Sequence, residues 1–407
     1  MTTKKNAKLE HPKYVSYEHL DAAGEAALFY GFTPLALPHI HPNDSADAKK
    51  ISDGEIVVDC DDHAEGASIR LEEKIALVRL YEREKLGSLP QPVMLYYRTP
   101  FVGDRRKPNP HESHHGLEII GTDKSIAEAI LIQASLGILG DAGEKDLHIE
   151  INSIGDKESL ARFTREITAY YRKFINDMPA ACRQTFKTDV FSLLGCDHEF
   201  CKKLAADCPK SINYLSEKSR QHFKEVLEHL EALGVPYTIN NTLVANRDYC
   251  SETIFEIRGE SGHPKAIGIR YDTLAKKLEH KKELPAVGVS ITVNKKLAKA
   301  EAVKQGTIAK IVRPQICFMQ LGFEAKLKSI SLIEKLRQAR IPLIHSLAKD
   351  KMAGQVGMAE KSHAPIVIIM GKKEAMENTA IVRESATRSQ ESVPLDQVAA
   401  KLKKFRV

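Results

Sequence analysis

LVANRDYCSETIFEIRG, residues 243–259, is a polar turn that runs directly into a strand. From Thr253 to Ile257 polar and apolar side chains are interleaved, most of them β-branched or aromatic, and the segment reads as a β-strand. Two further segments of the same kind follow, KAIGIRYDTL (265–274) and PAVGVSITV (285–293). No helical pattern separates the three. Parallel neighbours would need a long crossover, so short turns between strands predict antiparallel pairing. The turn ahead of the first strand gathers Asn246, Arg247, Asp248, Tyr249 and Cys250, all able to do chemistry. It is either a site or what is left of one.

Upstream, GEIVVD (54–59) and VMLYYR (93–98) read as strands, with an amphipathic helix, SIRLEEKIALVRLYEREKLG (68–87), between them. TPFVGDRRKPNPHESHHG (99–116) has the composition of a long loop, and LEIIG returns to strand. Ser125 and Glu128 predict a capping box before the apolar helix IAEAILIQASLGILG. DLHIEINSIG is an alternating strand, and Asp156 can cap the helix after it. Residues 164–233 turn helical and rich in Lys and Glu. There Phe223, Val226, Leu227 and Leu230 keep helical spacing, and Gly234 ends the helix. From about 313, strands alternate with helices, and APIVIIMG (364–371) is apolar throughout. That pattern predicts a small, mainly parallel α/β domain covered on both faces. The expected fold is α+β. An antiparallel core spans 1–163 and 234–312, a helical insertion 164–233, and an α/β domain 313–407.

The bulk properties agree with a two- or three-domain globular chain: 407 residues, 43% hydrophobic, 28% charged, net charge +6. The mild positive charge is compatible with a polyanionic partner. The first twenty residues lack the apolar stretch of a secretory signal, and no apolar run is long enough to cross a bilayer. Seven scattered cysteines predict reduced thiols in a cytoplasm rather than a disulfide framework.

Taken in order, the segments resemble the histidyl-tRNA synthetase family of class II aminoacyl-tRNA synthetases, over about residues 18–402. YGFTPLALP resembles motif 1, with Pro38 at the family's dimer-interface proline. ASIRLEE is similar to the Leu-Arg-Pro-Glu segment, and MLYYRTP with HHGLEIIGTD resembles motif 2. LVANRDYC and IGIRYDTL resemble the two histidine-specific segments, and PAVGVSITVNKK sits where motif 3 belongs. The C-terminal segments are similar to the family's anticodon-binding domain. The resemblance implies a cytoplasmic homodimer, ATP and Mg²⁺ if the chain is active and otherwise no cofactor, and tRNA as partner. It also implies a small ligand, histidine or another amino compound.

Activation brings a carboxylate to the α-phosphate of ATP, so fixed cations are needed where negative charge develops. By the resemblance, Tyr96 stands where the motif 2 arginine belongs, Ala245 where a second arginine leads its segment, and Lys295 where the motif 3 arginine belongs. A lysine lacks the planar fork of a guanidinium. Losing one such contact costs about 10²–10³ in rate. Arg98, on the same strand face as Tyr96, with Arg105 and Arg106 in the loop, are the candidate replacements. In the amino-acid pocket Glu72, Glu118 and Tyr249 match residues that grip histidine. Lys74, His114 and Cys250 replace a hydroxyl residue, a glutamine and a tyrosine, and Lys74 can pair with Glu72 in place of the ligand's ammonium. Asn246 and Ile269 stand at glycine positions, where a Cβ narrows the slot.

Arg270, Tyr271 and Asp272 match the second histidine segment, with structural hydrogen bonding the more ordinary role. CDHEFC (196–201), followed by Cys208, lacks a paired Cys-x₂-Cys, and the group His111, His114 and His115, which could chelate a metal, reads as a solvated loop, so no metal site is expected. Gln355 matches a glutamine near the family's anticodon loop, flanked by Ala353 and Gly354 where basic residues are common. The readings are therefore a synthetase-like protein with a degraded activation site that binds a ligand or tRNA, an active divergent histidine–tRNA ligase, and a regulatory subunit of ATP phosphoribosyltransferase. The third normally lacks the anticodon-binding domain.

Overall fold

The structure is a computed structural model. It describes residues 20–36, 40–52, 66–89, 91–99, 111–244, 248–260, 262–298, 315–345, 347 and 352–405. The strand expected at 54–59 lies outside these residues, as do Pro38, Arg105, Arg106, Ala245, Asn246 and Arg247.

Eight strands form the larger sheet. They are β1 (Thr33–Pro34), β2 (Val93–Thr99), β3 (Glu112–Ile120), β4 (His148–Gly155), β5 (Tyr237–Ile239), β6 (Ser251–Arg258), β7 (Pro264–Arg270) and β8 (Ala286–Asn294). Their spatial order is β1-β2-β3-β8-β7-β6-β4-β5. Every pairing from β2 through to β4 is antiparallel, and the two edge pairings, β1–β2 and β4–β5, are parallel. The three strands read at 251–293 are thus consecutive neighbours at the centre of the sheet. β6 is buried along almost its whole length rather than on one face, because helices cover one side and a second apolar cluster the other. β3 starts five residues before the expected LEIIG strand. Glu112 through Gly116, expected as loop, pair in register with Asn294 through Ser290 of β8.

The helices α1 (Ala22–Phe29), α2 (Pro42–Ile51), α3 (Leu71–Arg83) and α4 (Ile126–Asp141) come next. The apolar α4 packs on β7 and β8 and is covered by α1. It does not begin with the expected capping box. Ser125 is already helical, and its hydroxyl donates to Glu225 at 2.7 Å. Glu128 points inward instead, drawn by the buried guanidinium of Arg270. On the opposite face α3 packs with Leu95, Tyr97, Ile120, Tyr249, Ile269 and Tyr271 in a separate cluster. The sheet therefore carries two different cores on its two faces.

Between β4 and β5 lie α5 (Lys157–Arg172), α6 (Ala180–Thr188), α7 (Glu199–Asp207) and α8 (Glu217–Ala232). The Asp156 carboxylate caps α5 by accepting from the Ser159 amide at 2.9 Å, as expected. Gly234 follows α8 at φ +66, a conformation that favours glycine. α5, α6 and α7 enclose a core of their own around Phe163, Ile167, Tyr171, Phe191 and Leu193. Phe223, Val226 and Leu230 of α8 join the core of the main sheet instead.

The second sheet holds β9 (Ile316–Gln320), β10 (Ile344–His345), β11 (Ile366–Met370), β12 (Thr379–Glu384) and β13 (Gln390–Pro394), in the order β10-β9-β11-β12-β13. Only its first two pairings are parallel, so the expectation of a mainly parallel domain is corrected. Two short connections cause this: the six-residue helix Lys372–Glu377 returns β12 antiparallel to β11, and a tight turn at Ser385–Ser389, with Arg388 at φ +58, folds β13 straight back on β12. The helix Phe323–Gln338 packs against α1. There Arg337 bonds Asp141 at 2.6 Å, and the His345 ring bonds the Tyr30 carbonyl at 2.5 Å.

Candidate functional site

Strand alternation decides what meets what. Leu95 of β2 lies opposite Glu118 of β3, and Tyr97 lies opposite Gly116. Cross-strand partners share a face, so Glu118 shares its face with Leu95, Tyr97 and Thr99. Tyr96 and Arg98 project to the other side. Tyr96 and Arg98 share a face as expected, but Tyr96 and Glu118, both expected in the amino-acid pocket, lie on opposite faces of the sheet.

On the first face Lys74 and Glu118 form an ion pair, and both side chains are essentially inaccessible to solvent. Lys74 is the third residue after Leu71, where α3 begins, and points down onto the sheet. Its partner is Glu118, not the expected Glu72, which lies half-buried on the first turn of α3. A helix rotates each residue by about 100°, so residues 72 and 74 point in very different directions. Glu118 also accepts from the Tyr97 hydroxyl at 3.1 Å and the Tyr271 hydroxyl at 2.6 Å. The Lys74 ammonium lies 5.6 Å from the centre of the Tyr271 ring. Burial outweighs the lysine's attraction and leaves the Glu118 pKa above its ordinary value. Two glycines make room. A Cβ on Gly288 would lie 1.9 Å from a Glu118 oxygen, and one on Gly116 would lie 2.1 Å from the Tyr97 ring.

Beside this pair Glu73 is buried and accepts from Arg70 at 2.9 Å and from the Thr99 hydroxyl at 2.8 Å. His114 shares a hydrogen bond with Thr292 at 3.0 Å. Tyr249 and Cys250 are buried in the same apolar cluster, and Ile269 lies opposite Gly288 in register. The Tyr249 carbonyl accepts from Thr273 at 3.2 Å. Glu73, Tyr97 and Thr99 escaped the sequence reading. Glu73 carried no sequence signal beyond lying on the first turn of a helix, and the strand parity that exposes Tyr97 and Thr99 becomes visible only once the β2–β3 register is fixed.

On the second face the Tyr96 hydroxyl donates to Asp21 at 2.6 Å and lies 2.8 Å from His115 Nδ1. The Tyr96 and His115 rings stack with centroids 5.9 Å apart. Burial lowers the His115 pKa to about 4, so the ring is neutral at neutral pH. Arg98 is exposed and lies 3.9 Å from Asp21. Lys295 is exposed just past β8, its backbone amide bonded to His111 at 2.7 Å. Arg270 is fully buried and grips Glu128 with two bonds of 2.7 and 2.8 Å, while donating to the Thr122 carbonyl at 3.0 Å. Burial alone would raise the Glu128 pKa, but Arg270, helped by His222, brings it down to about 2. Gln355 is buried, and its amide bonds both the backbone amide (2.8 Å) and the carbonyl (2.6 Å) of Gln320.

With this geometry in hand, the chain compares as follows. It is 30% identical over 346 residues to the histidine–tRNA ligase of Bacillus velezensis, covering 83% of this chain and 81% of that one. The chain belongs to the histidyl-tRNA synthetase family. The histidine–tRNA ligase of Bacillus subtilis is 29% identical over 340 residues, 81% of this chain and 80% of that one. Residues 315–405 match the family described as Anticodon binding domain. An apo histidyl-tRNA synthetase structure from S. aureus aligns over 90% of this chain and 97% of that one, at 22% identity and a TM-score of 0.45. Among the described residues no helix is long and apolar enough to cross a membrane.

Proposed function

We propose that this family member is a synthetase-derived tRNA-binding protein that does not activate histidine. The observation that carries the reading is the buried Lys74–Glu118 pair. Glu118 is one of the two carboxylates, with Glu72, that the family resemblance assigns to the amino acid, and here an internal ammonium already occupies it. The residues present do not fit ATP and Mg²⁺ chemistry at this point either. Tyr96 stands at the position of the arginine that bridges carboxylate and phosphate, and its hydroxyl is committed to Asp21 and His115. The residues of β2 that do face Glu118 are Leu95, Tyr97 and Thr99, and none is cationic. The match of residues 315–405 to an anticodon binding domain supports tRNA as the ligand. On this reading residues 1–163 and 234–312 form the core, 164–233 an insertion and 313–407 the RNA-binding part of a cytoplasmic homodimer.

Histidine-dependent ATP–pyrophosphate exchange by the full chain is expected to stay at background, and robust turnover overturns the proposal. Filter binding of total tRNA at low salt is expected to show retention that weakens as salt rises. No retention overturns the tRNA half of the reading. A second reading, an active divergent ligase, is favoured by one observation: the Arg70 guanidinium lies on the Glu118 side, paired with Glu73. The same exchange assay separates the two.

A further inference from the structure

Three thiols meet in the helical segment between β4 and β5. Cys182 comes from α6, Cys196 from the turn after residues Val190–Leu193, and Cys201 from the first turns of α7. Their sulphur atoms all lie within 4.8 Å of one another, and Cys182 and Cys196 are 3.8 Å apart. All three are free, and the spacing is far beyond a disulfide bond of about 2.05 Å. It is the spacing of two sulphurs on one tetrahedral zinc ion, since Zn–S bonds of about 2.3 Å at the tetrahedral angle set the sulphurs about 3.8 Å apart.

Two further observations point the same way. The Tyr171 hydroxyl, in the same cluster, is fully buried and has no hydrogen-bond partner among the described residues. An interior that leaves a polar atom unsatisfied and packs three thiols together is not explained by apolar packing alone. The oxygen and nitrogen donors of the same stretch turn away. Asp197 is exposed and pairs with Lys202 at 2.8 Å, and His198 is exposed at the start of α7. The donor set is therefore all sulphur, which selects zinc-class ions over magnesium or calcium. Cys182 and Cys201 are buried while Cys196 is half-exposed, which leaves an entry path.

We propose that Cys182, Cys196 and Cys201 form a thiolate site for one zinc-class ion, completed by a solvent molecule, that clamps α6 to the turn and to α7. Binding releases the thiol protons to solvent and forms three sulphur–metal bonds without any change of oxidation state. The CDHEFC motif did not reveal the site because its third sulphur, Cys182, comes from a different helix. The proposal does not depend on whether the ligase reaction survives.

The test is titration of the reduced, full-length protein with Co²⁺, followed by competition with Zn²⁺. The expected result is thiolate-to-cobalt charge-transfer bands and tetrahedral visible bands that saturate at about one ion per chain and are bleached by zinc. Cys182→Ser and Cys196→Ser lose these bands, while Cys317→Ser, in the other sheet, keeps them. Should Cys182→Ser fail to fold, the half-exposed Cys196→Ser, with its fold checked by circular dichroism, decides the matter. Absence of thiolate bands in the unmodified chain, or bands unchanged by Cys196→Ser, overturns the proposal.

Discussion

Lys74 of α3 and Glu118 of β3 are paired in the interior, with both side chains inaccessible to solvent. Two charges taken out of water repay their desolvation only through each other and the hydrogen bonds around them, here from Tyr97 and Tyr271. Removing one partner is therefore far worse than removing both. Lys74→Ala is expected to destabilise by about 3–5 kcal/mol, whereas Lys74→Met with Glu118→Leu is expected to be neutral or stabilising by about 1–4 kcal/mol. Urea unfolding followed by circular dichroism measures both. Equal losses for the single and double variants would show that the pair is not coupled.

The same vacancy gives a ligand prediction. In Lys74→Ala, Glu118 faces a cavity the size of a lysine side chain, so a small alkylamine should fill it. An amine at 100 times its dissociation constant is expected to raise the variant's stability by about 2.7 kcal/mol and to leave the parent chain unchanged. Thermal shift with a series of primary amines reads this directly. Equal shifts in both proteins would mean that the amine acts elsewhere.

Much of this site could be read from residue types but not from their directions. The antiparallel core was visible because three strands follow one another with nothing between them. Lys74 stood out as a cation at a hydroxyl position. That it meets Glu118 rather than Glu72 depends on the crossing of α3 over the sheet. That Tyr97, not Tyr96, faces Glu118 depends on a one-residue register between β2 and β3, which inverts every side chain if shifted. The missing capping box at Ser125 has a similar cause, since a buried guanidinium far away in sequence outbid a local backbone bond. The C-terminal hairpin was missed because SATRS contains no Gly or Asn to mark the turn.

The buried histidines make acid stability predictable. Burial lowers His115, His229 and His345 to about 4. Each is a base whose folded pKa lies below the unfolded value of about 6.5, so the folded state holds fewer protons. Stability is thus full above about pH 6.5 and falls as pH drops toward 4, by up to about 3 kcal/mol per histidine. Urea midpoints measured from pH 7.5 to 4 are expected to decline through this window, and less steeply in His345→Gln. A flat profile between pH 6.5 and 5 would contradict burial of the neutral rings.

Gly288 tests whether the floor of the site is as tight as its geometry. A Cβ there would sit 1.9 Å from one Glu118 oxygen and 2.6 Å from the other. Glu118 cannot swing aside cheaply, because Lys74, Tyr97 and Tyr271 all hold it. Gly288→Ala is expected to cost about 1–3 kcal/mol by overpacking, whereas Gly140→Ala, with nothing within 4 Å among the described residues, should cost nothing or stabilise slightly. Chemical denaturation of the two variants side by side provides the comparison.

Arg270 carries another fully buried ion pair, and here geometry rather than charge is the issue. Its guanidinium makes two bonds to Glu128 and another to the Thr122 carbonyl, joining β7 to the start of α4. A lysine keeps the charge but offers a point in place of a planar fork, so it can satisfy one Glu128 oxygen and leaves the Thr122 carbonyl without its donor. Arg270→Lys is therefore expected to lose about 1–3 kcal/mol for the orphaned buried acceptor. Arg270→Ala should lose about 3–5 kcal/mol, because Glu128 is then left with His222 alone. Glu128→Gln in the Arg270→Ala background removes the stranded carboxylate and should recover part of that loss. No recovery in this double variant would place the cost in packing, not in the unpaired charge.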